Sequence, residues 1–303
     1  MDTPDSICRA RPLLGTFVEI AASGVAGDEL QAAVNAAFAA VAQVHRLMSF
    51  HDPQSDVGRL NHWAYGRAMP VHAWTYQVLQ TAIEIHHQSA GLFDVAVAPL
   101  LQKRDLLPRR AHDGDSIVDP IAASDAIELL ADGCVRYLDP RVSVDLGGIA
   151  KGFAVDRALQ VLRERGLPRG LVNAGGDLAA FGAEPEFALV RHPINAGQML
   201  CRTEISNAAL ASSGRMINWS RSEAAEDCAV FDPNTQSPVR RTAGATVRAS
   251  CCMIADALTK VVMIAREEAM NLLKRYRANA LFVLESGDVW VTPDWQNAVR
   301  FAA

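Results

Sequence analysis

Asp145-Leu146-Gly147-Gly148-Ile149-Ala150-Lys151-Gly152-Phe153-Ala154-Val155-Asp156 follows the alternating run Val142-Ser143-Val144 and leads into an apolar-periodic segment. It reads as strand, glycine turn and helix start. Such a turn presents backbone N–H groups at the positive end of a helix, where a phosphate can sit, with Lys151 as a cation and Asp145 as a carboxylate beside it. The spacing is neither GxGxxG nor GxxxxGK followed by Ser or Thr, so no nucleotide-binding fold follows from it. The competing reading is that the glycines let a helix pack closely while Lys151 faces solvent.

Upstream, Leu13 to Ala21 alternates as a strand after an irregular start, with Leu14-Gly15-Thr16 as a turn near its beginning. Asp28 is placed to cap a helix whose face carries Leu30, Ala33, Val34, Ala37, Val41, Val44 and Met48. Residues 48–61, with Asp52-Pro53, read as a polar loop of a kind that can fold over a ligand. Trp74 to Ser89 is a second helix. Its His86-His87 pair cannot easily face one ion, because adjacent helical residues point apart, so a role near the negative helix end fits better. Gln102 to Pro120 is expected to be a mobile loop, Ala126 to Leu130 a short helix or turn, and Val135–Tyr137 with Val142–Val144 a hairpin.

Downstream, a helix ends at Gly166, and Gly170 to Leu178 is a strand running into a second glycine turn. Strand-length runs follow at 187–190, 199–205, 208–211, 229–231 and 243–247. Helices are expected at 252–265 and 268–277, then a closing hairpin of 280–284 and 289–291. No repeat or linker appears, so the expected architecture is a single large α/β (mixed α+β) domain over 1–303, with central mixed sheets flanked by helices.

The chain has 303 residues, half of them hydrophobic, and a formal charge of −5, with no Lys/Arg run to attract nucleic acid. No segment has the uninterrupted apolar length of a membrane span. The N-terminus has acidic residues where an export signal needs basic ones, and the six cysteines are scattered without a CxxC pair. A soluble, cytoplasmic chain with reduced thiols is the expectation.

Several motifs stand in a definite order: Leu14-Gly15-Thr16; Ser49-Phe50, Ser55-Asp56 and Leu60-Asn61; Gly91-Leu92-Phe93-Asp94 with Pro99-Leu100; 145–156; and Asn173-Ala174-Gly175-Gly176-Asp177. Ala211-Ser212-Ser213-Gly214, Asp232-Pro233-Asn234-Thr235 and Ala255-Asp256-Ala257-Leu258 complete the series. Together they resemble the FAD:protein FMN transferase, or ApbE, family over almost the whole chain. The resemblance implies an enzyme that binds FAD and, with magnesium, transfers FMN to a Ser or Thr hydroxyl of a partner protein and releases AMP. Alternatives are a flavin-binding homologue without transferase activity, serving as carrier or assembly factor, and an FAD pyrophosphatase.

The family pattern implies Asp145 and Lys151 on FAD, with the Gly148 carbonyl and the Asp256 carboxylate on the metal. It also implies that Leu14, Phe50, Leu92-Phe93-Asp94 and Phe231 line the flavin pocket. A carboxylate and main-chain oxygens are the hard ligands magnesium prefers. Four positions depart from the pattern. Lys260 stands where members commonly have Thr, with Thr259 just before it. Ala229 stands for a His, Gln236 for a turn Gly and Leu14 for a Met. An ammonium at i+4 from Asp256 can pair with it and occupy or repel a metal position; the alternative is that Lys260 points elsewhere and Thr259 or water completes the shell. With the His absent, Asp177, Asp227 or Cys228 is left as proton acceptor. The run 243–250 resembles an acceptor motif with one residue too many, which raises self-flavinylation at Thr246 as a possibility. The acceptor protein and the oligomeric state are not specified by the sequence.

Overall fold

The N-terminal segment alternates exposed and half-buried side chains and forms β1 (Ser6–Leu13), a strand not expected from its Arg and Pro content. It turns through Leu14 and Gly15, both at positive φ, into β2 (Thr16–Ser23). The computed structural model describes residues 5–109, 123–195, 197–214 and 230–302. α1 (Gly27–Met48) buries the expected apolar face, together with Phe38 and Ala40. Its N-cap position is Ala26 rather than Asp28, which instead lies in the first turn, where a carboxylate favours the helix dipole.

The expected polar loop contains α2 (Asp56–Trp63), capped by the Ser55 hydroxyl accepting from Gly58 N at 2.8 Å. Gly58 is needed there, because a Cβ would lie 2.2 Å from the Asp52 carbonyl oxygen. A two-residue strand β3 (Met69–Pro70), then α3 (Ala73–Gln88) and α4 (Ala98–Lys103), follow. The expected 102–120 loop therefore begins inside α4, and its residues 110–120 lie outside the described residues.

Residues 124–126 form a single 3-10 turn, and the expected helix at 126–130 is instead strand β4 (Ile127–Leu129), paired with β5 (Cys134–Tyr137). The expected hairpin of β5 with Val142–Val144 does not form. Val144 finds its partner in a side chain: Asn61 accepts from Val144 N at 2.6 Å and donates to its carbonyl at 2.8 Å. One amide thus replaces a ladder, and at the start of the glycine motif Asp145 N donates to the Val95 carbonyl at 2.8 Å.

α5 (Ala150–Glu164) starts within the motif. β6 (Arg169–Ala174) and β7 (Asp177–Phe181) flank a two-residue turn, Gly175-Gly176, both at positive φ. Next come β8 (Glu186–Arg191), β9 (Met199–Ile205), β10 (Ala208–Gly214), and the short β11 (Phe231–Asp232) and β12 (Ser237–Pro238). β13 (Thr242–Ala249), α6 (Cys252–Ala265), α7 (Met270–Arg275), β14 (Asn279–Leu284), β15 (Val289–Val291) and β16 (Val299–Phe301) complete the chain.

The main sheet has eight strands in the order β1-β2-β6-β7-β10-β13-β14-β15. Its described ladders are all antiparallel, three of them hairpins, β1–β2, β6–β7 and β14–β15. Helices α1, α5 and α6 cover one face, in a core that includes Phe38, Phe153, Leu162 and Leu258. A three-stranded sheet, β16-β9-β8, covers the other through Leu200, Ile205, Leu281 and Trp295. β13 is buried on both faces, as a central strand in this three-layer stack must be. Thr246 lies within it, 3% exposed, its hydroxyl 2.9 Å from that of Ser212, so the acceptor-like run 243–250 serves as core rather than as an exposed segment.

Candidate active site

α5 and α6 cross at the start of both helices, and small residues permit it. A Cβ on Gly152 would lie 2.3 Å from the Cys252 carbonyl oxygen, so only glycine lets the helices meet this closely. Asp156, one turn along α5, accepts from Cys252 N at 2.7 Å and Met253 N at 2.8 Å. α6 has no side-chain cap of its own at Cys251, so α5 supplies it. Both readings of the motif's glycines therefore hold in part: Gly152 serves helix packing, and Gly148 borders a cavity.

This crossing lays Asp256 against the N-terminus of α5. Its Oδ2 accepts from Gly152 N at 3.1 Å and lies 4.0 Å from Lys151 Nζ. Its Oδ1 pairs with the ammonium of Lys260, which also donates to the Asp256 carbonyl at 3.0 Å. Lys151 pairs with Asp177, whose other oxygen accepts from Ser212 N. The tight β6–β7 turn aims Asp177 inward. Thr16 closes over that turn, since a Cβ on Gly175 would be 2.6 Å from Thr16 Oγ1. Two lysines and two carboxylates thus form one row, with Asp177 and Asp256 each about 1% exposed.

Burial alone would raise the Asp256 pKa. Lys151, Lys260 and the Gly152 N–H outweigh it and hold this carboxyl below its ordinary value. Asp177 goes the other way: burial and the nearby Asp256 charge raise it, against the pull of the two lysines. Lys151 is pulled down by burial, but the two carboxylates dominate and raise it, so it is a permanent cation. Asp145 is raised by burial, partly offset by the Gly147 N–H it accepts at 3.2 Å.

The row opens into a cavity of about 440 Å³. It is lined by the polar Asp145, Gly148, Lys151, Lys260 and Ser213 and by the apolar Leu92, Phe93, Leu101, Leu107 and Phe231. Of the residues singled out in the sequence, Asp94 also borders it. Its carboxylate is already engaged by Ala96 N at 2.7 Å and by Ser124, and lies 3.3 Å from His86 Nδ1. His86 is buried against the Phe93 carbonyl at 3.0 Å, and its Nε2 lies 3.6 Å from Asp125; the exposed His87 reaches the same carboxylate at 2.9 Å, so both rings meet Asp125, contrary to the expectation that they point apart.

Phe50 lines a second cavity with His51, Gly58, His62 and Trp63 instead. Leu14 lines neither cavity; it occupies the β1–β2 turn at φ 56°. Gln236, in a turn where glycine was expected, also has positive φ. Ala229, Asp227 and Cys228 lie outside the described residues. Sequence reasoning gave no role to Ser212, Ser213 or Asp156, although all three sit inside quoted motifs; the small polar pair on an otherwise apolar strand was the available signal for the serines.

Of the oxygen donors proposed for magnesium, Asp256 and Thr259 already have partners. Both Asp256 carboxylate oxygens have partners, one of them an ammonium. Thr259 donates to the Asp256 carbonyl at 2.6 Å, which leaves Ser213 to donate to Thr259 at 2.7 Å. The Lys260 stem lies over Gly148, its Cε 3.3 Å from where a Cβ would be. Among the described residues no group of three or more His, Cys, Asp or Glu is placed to hold a metal. The residues present do not fit a divalent ion.

The ApbE family profile matches residues 14–282. The FAD:protein FMN transferase of Vibrio cholerae is 26% identical over 258 residues, spanning 81% of this chain and 77% of its own. Another protein of that name, from Klebsiella pneumoniae, is 23% identical over 304 residues, spanning 93% and 86%. In fold, the ApbE protein of Thermotoga maritima is similar with a TM-score of 0.85 at 23% identity, over 97% of this chain and 99% of that one. The flavin transferase ApbE of Vibrio cholerae gives 0.83 at 21%, over 98% and 100%. With a profile match that runs from the first hairpin to β14 and takes in every element of the charged row, the chain belongs to the ApbE family.

Proposed function

We propose that this chain is an FAD:protein FMN transferase, moving FMN from FAD to a Ser or Thr hydroxyl of a partner protein with release of AMP. One observation carries the reading: a single open cavity is lined both by apolar side chains, Leu92, Phe93 and Phe231, and by two ammonium groups, Lys151 and Lys260. That combination suits a flavin ring and its pyrophosphate, and the family's named activity supplies the reaction.

In this reading the flavin stacks on the apolar wall with its phosphates toward the lysines. The acceptor hydroxyl oxygen attacks the FMN-side phosphorus, an O–P bond forms, the bond to the bridging oxygen breaks, and AMP leaves with the electron pair. Lys151, held protonated, stabilises the charge that develops on the phosphate oxygens. Asp177, ion-paired with the Lys151 that lines the cavity, is assigned to take the hydroxyl proton. Asp145 orients the substrate at the cavity rim. Magnesium, implied by the resemblance, supplies no step here, since the Lys260 ammonium stands on its carboxylate donor.

No described helix is long and apolar enough to cross a membrane. A cytoplasmic setting belongs to the same proposal and rests on the scattered cysteines. The test is incubation of the purified chain with FAD and an acceptor carrying a Thr flavinylation motif, following acceptor mass and AMP. Acceptor that gains the mass of FMN supports transfer. AMP with unmodified acceptor would point to a pyrophosphatase, and retained FAD with neither product to a carrier; either overturns the proposal.

A further inference from the structure

The cation of this site is part of the chain. We propose that the Lys260 ammonium, standing on Asp256 where the resemblance implies a divalent ion, is a resident cation that meets the substrate pyrophosphate, so that this chain binds and cleaves its flavin substrate without a metal. The inference rests on the flavin-transfer reading above.

Three observations carry it. Lys260 is on the same face of α6 as Asp256, one turn on, and engages both its carboxylate and its carbonyl, so the ammonium is anchored at two oxygens. Its stem is packed over Gly148, within the cavity lining, and the side chain keeps 19% exposure toward the open space. Asp256 Oδ2 already accepts from Gly152 N and Thr259 is held between Asp256 and Ser213, so Lys260 takes the one Asp256 carboxylate oxygen that no backbone N–H occupies.

A hard divalent ion requires several free oxygens, and a protonated lysine offers none while repelling the ion. With Lys260 the row holds two positive and two negative charges before substrate arrives, and both ammonium groups face the cavity where the pyrophosphate would lie. In the transfer, electrons released to the AMP phosphate develop as negative charge beside Lys260 and Lys151, and the hydroxyl proton passes to Asp177. No further reactant is needed for balance.

The experiment uses the full chain stripped with EDTA. Manganese is titrated in while the paramagnetic resonance signal of free Mn²⁺ is followed. FAD affinity is measured from flavin fluorescence with EDTA and with excess magnesium. The wild-type chain is expected to leave the Mn²⁺ signal undiminished and to bind FAD equally in both buffers. Lys260→Thr is expected to deplete the Mn²⁺ signal and to make FAD affinity depend on metal by about tenfold or more, equivalent to about 1.4 kcal/mol. Lys260→Met, which offers neither charge nor ligand, is expected to weaken FAD binding without gaining Mn²⁺.

Mn²⁺ retained by the wild-type chain, or FAD affinity that collapses in EDTA and returns with magnesium, would overturn the inference and leave the transferase reading standing. Failure to bind FAD or to release AMP under any condition would overturn the transferase reading itself. The Mn²⁺ titration is read independently of that outcome.

Discussion

The two lysine–aspartate pairs in the site are chemically alike and differ in how they are built. Lys260 and Asp256 lie one turn apart on α6, a spacing at which any helix brings side chains together. Lys151 and Asp177 come from α5 and from the strand after a tight hairpin, 26 residues on, and meet only when helix and sheet are packed. The local pair is cheap to form and, in our reading, replaces a bound ion. The non-local pair reports whether the tertiary structure is in place. A cation supplied locally can be gained by one substitution; a cation that must meet a strand from elsewhere depends on the fold around it.

Breaking the non-local pair has the largest expected effect. Lys151→Ala removes one of the two cations assigned to the developing phosphate charge and leaves Asp177 buried without its paired ammonium. AMP release should fall by roughly 10²–10³-fold, the range for loss of one preorganised electrostatic group. Steady-state kinetics on folded protein checks this, and a loss confined to KM would contradict the assigned role.

Forcing apart the two helices that bear the lysines comes next. In Gly152→Ala the added methyl has no space beside the Cys252 carbonyl, and the Gly152 N–H would be carried away from Asp256. A cost of about 2–3 kcal/mol is expected from such overpacking, measured by chemical denaturation. Unchanged stability would show that α5 and α6 do not cross as described.

The Asp156 cap sharpens the comparison through pH. Burial raises this carboxyl to about 6, the N–H groups of Met253 and Cys252 opposing it. Between the ordinary value, near 4, and 6 the folded chain keeps a proton that the unfolded chain has lost. This contribution is therefore complete at the acid end and is lost as pH rises through about 6, by on the order of 1–3 kcal/mol. In Asp156→Asn that slope should disappear from denaturation midpoints compared across this window; a variant with the wild-type slope would assign the proton elsewhere.

The smallest effect is expected in the turn that carries Gln236, which is not among the residues lining the cavity. Gln236 has φ of 55°, which a side chain adopts at a cost of about 1 kcal/mol that glycine avoids. Gln236→Gly should raise thermal stability slightly without altering FAD affinity, as a melting curve and a fluorescence titration would show.

Periodicity located the long helices α1, α3 and α6, because a continuous apolar face leaves little alternative. It missed β1, whose Arg9, Arg11 and Pro12 suit an edge strand covered on one side only. It missed α2, whose eight residues carry Gly58 and follow Asp52-Pro53. The extended 142–144 run was visible, but its partner, the Asn61 amide 83 residues upstream, was not. Phe50 was grouped with the flavin-lining residues by resemblance, yet it lines a different cavity, because α2 turns that segment away from the α5–α6 crossing.

What the sequence by itself determined is what neighbouring residues decide. It determined the turn at Gly147-Gly148, the helix after it, and the pairing of Asp256 with an ammonium four residues on, since helical geometry brings i and i+4 together wherever the helix lies. What only the tertiary structure decided is the meeting of those two elements with Asp177. A Cβ-free contact at Gly152 sets the distance between α5 and α6, the Gly175-Gly176 hairpin aims Asp177, and burial with the two lysines makes the two carboxyls differ in how readily each binds a proton. Those distances are sums over the whole packed chain, so no local stretch contains them.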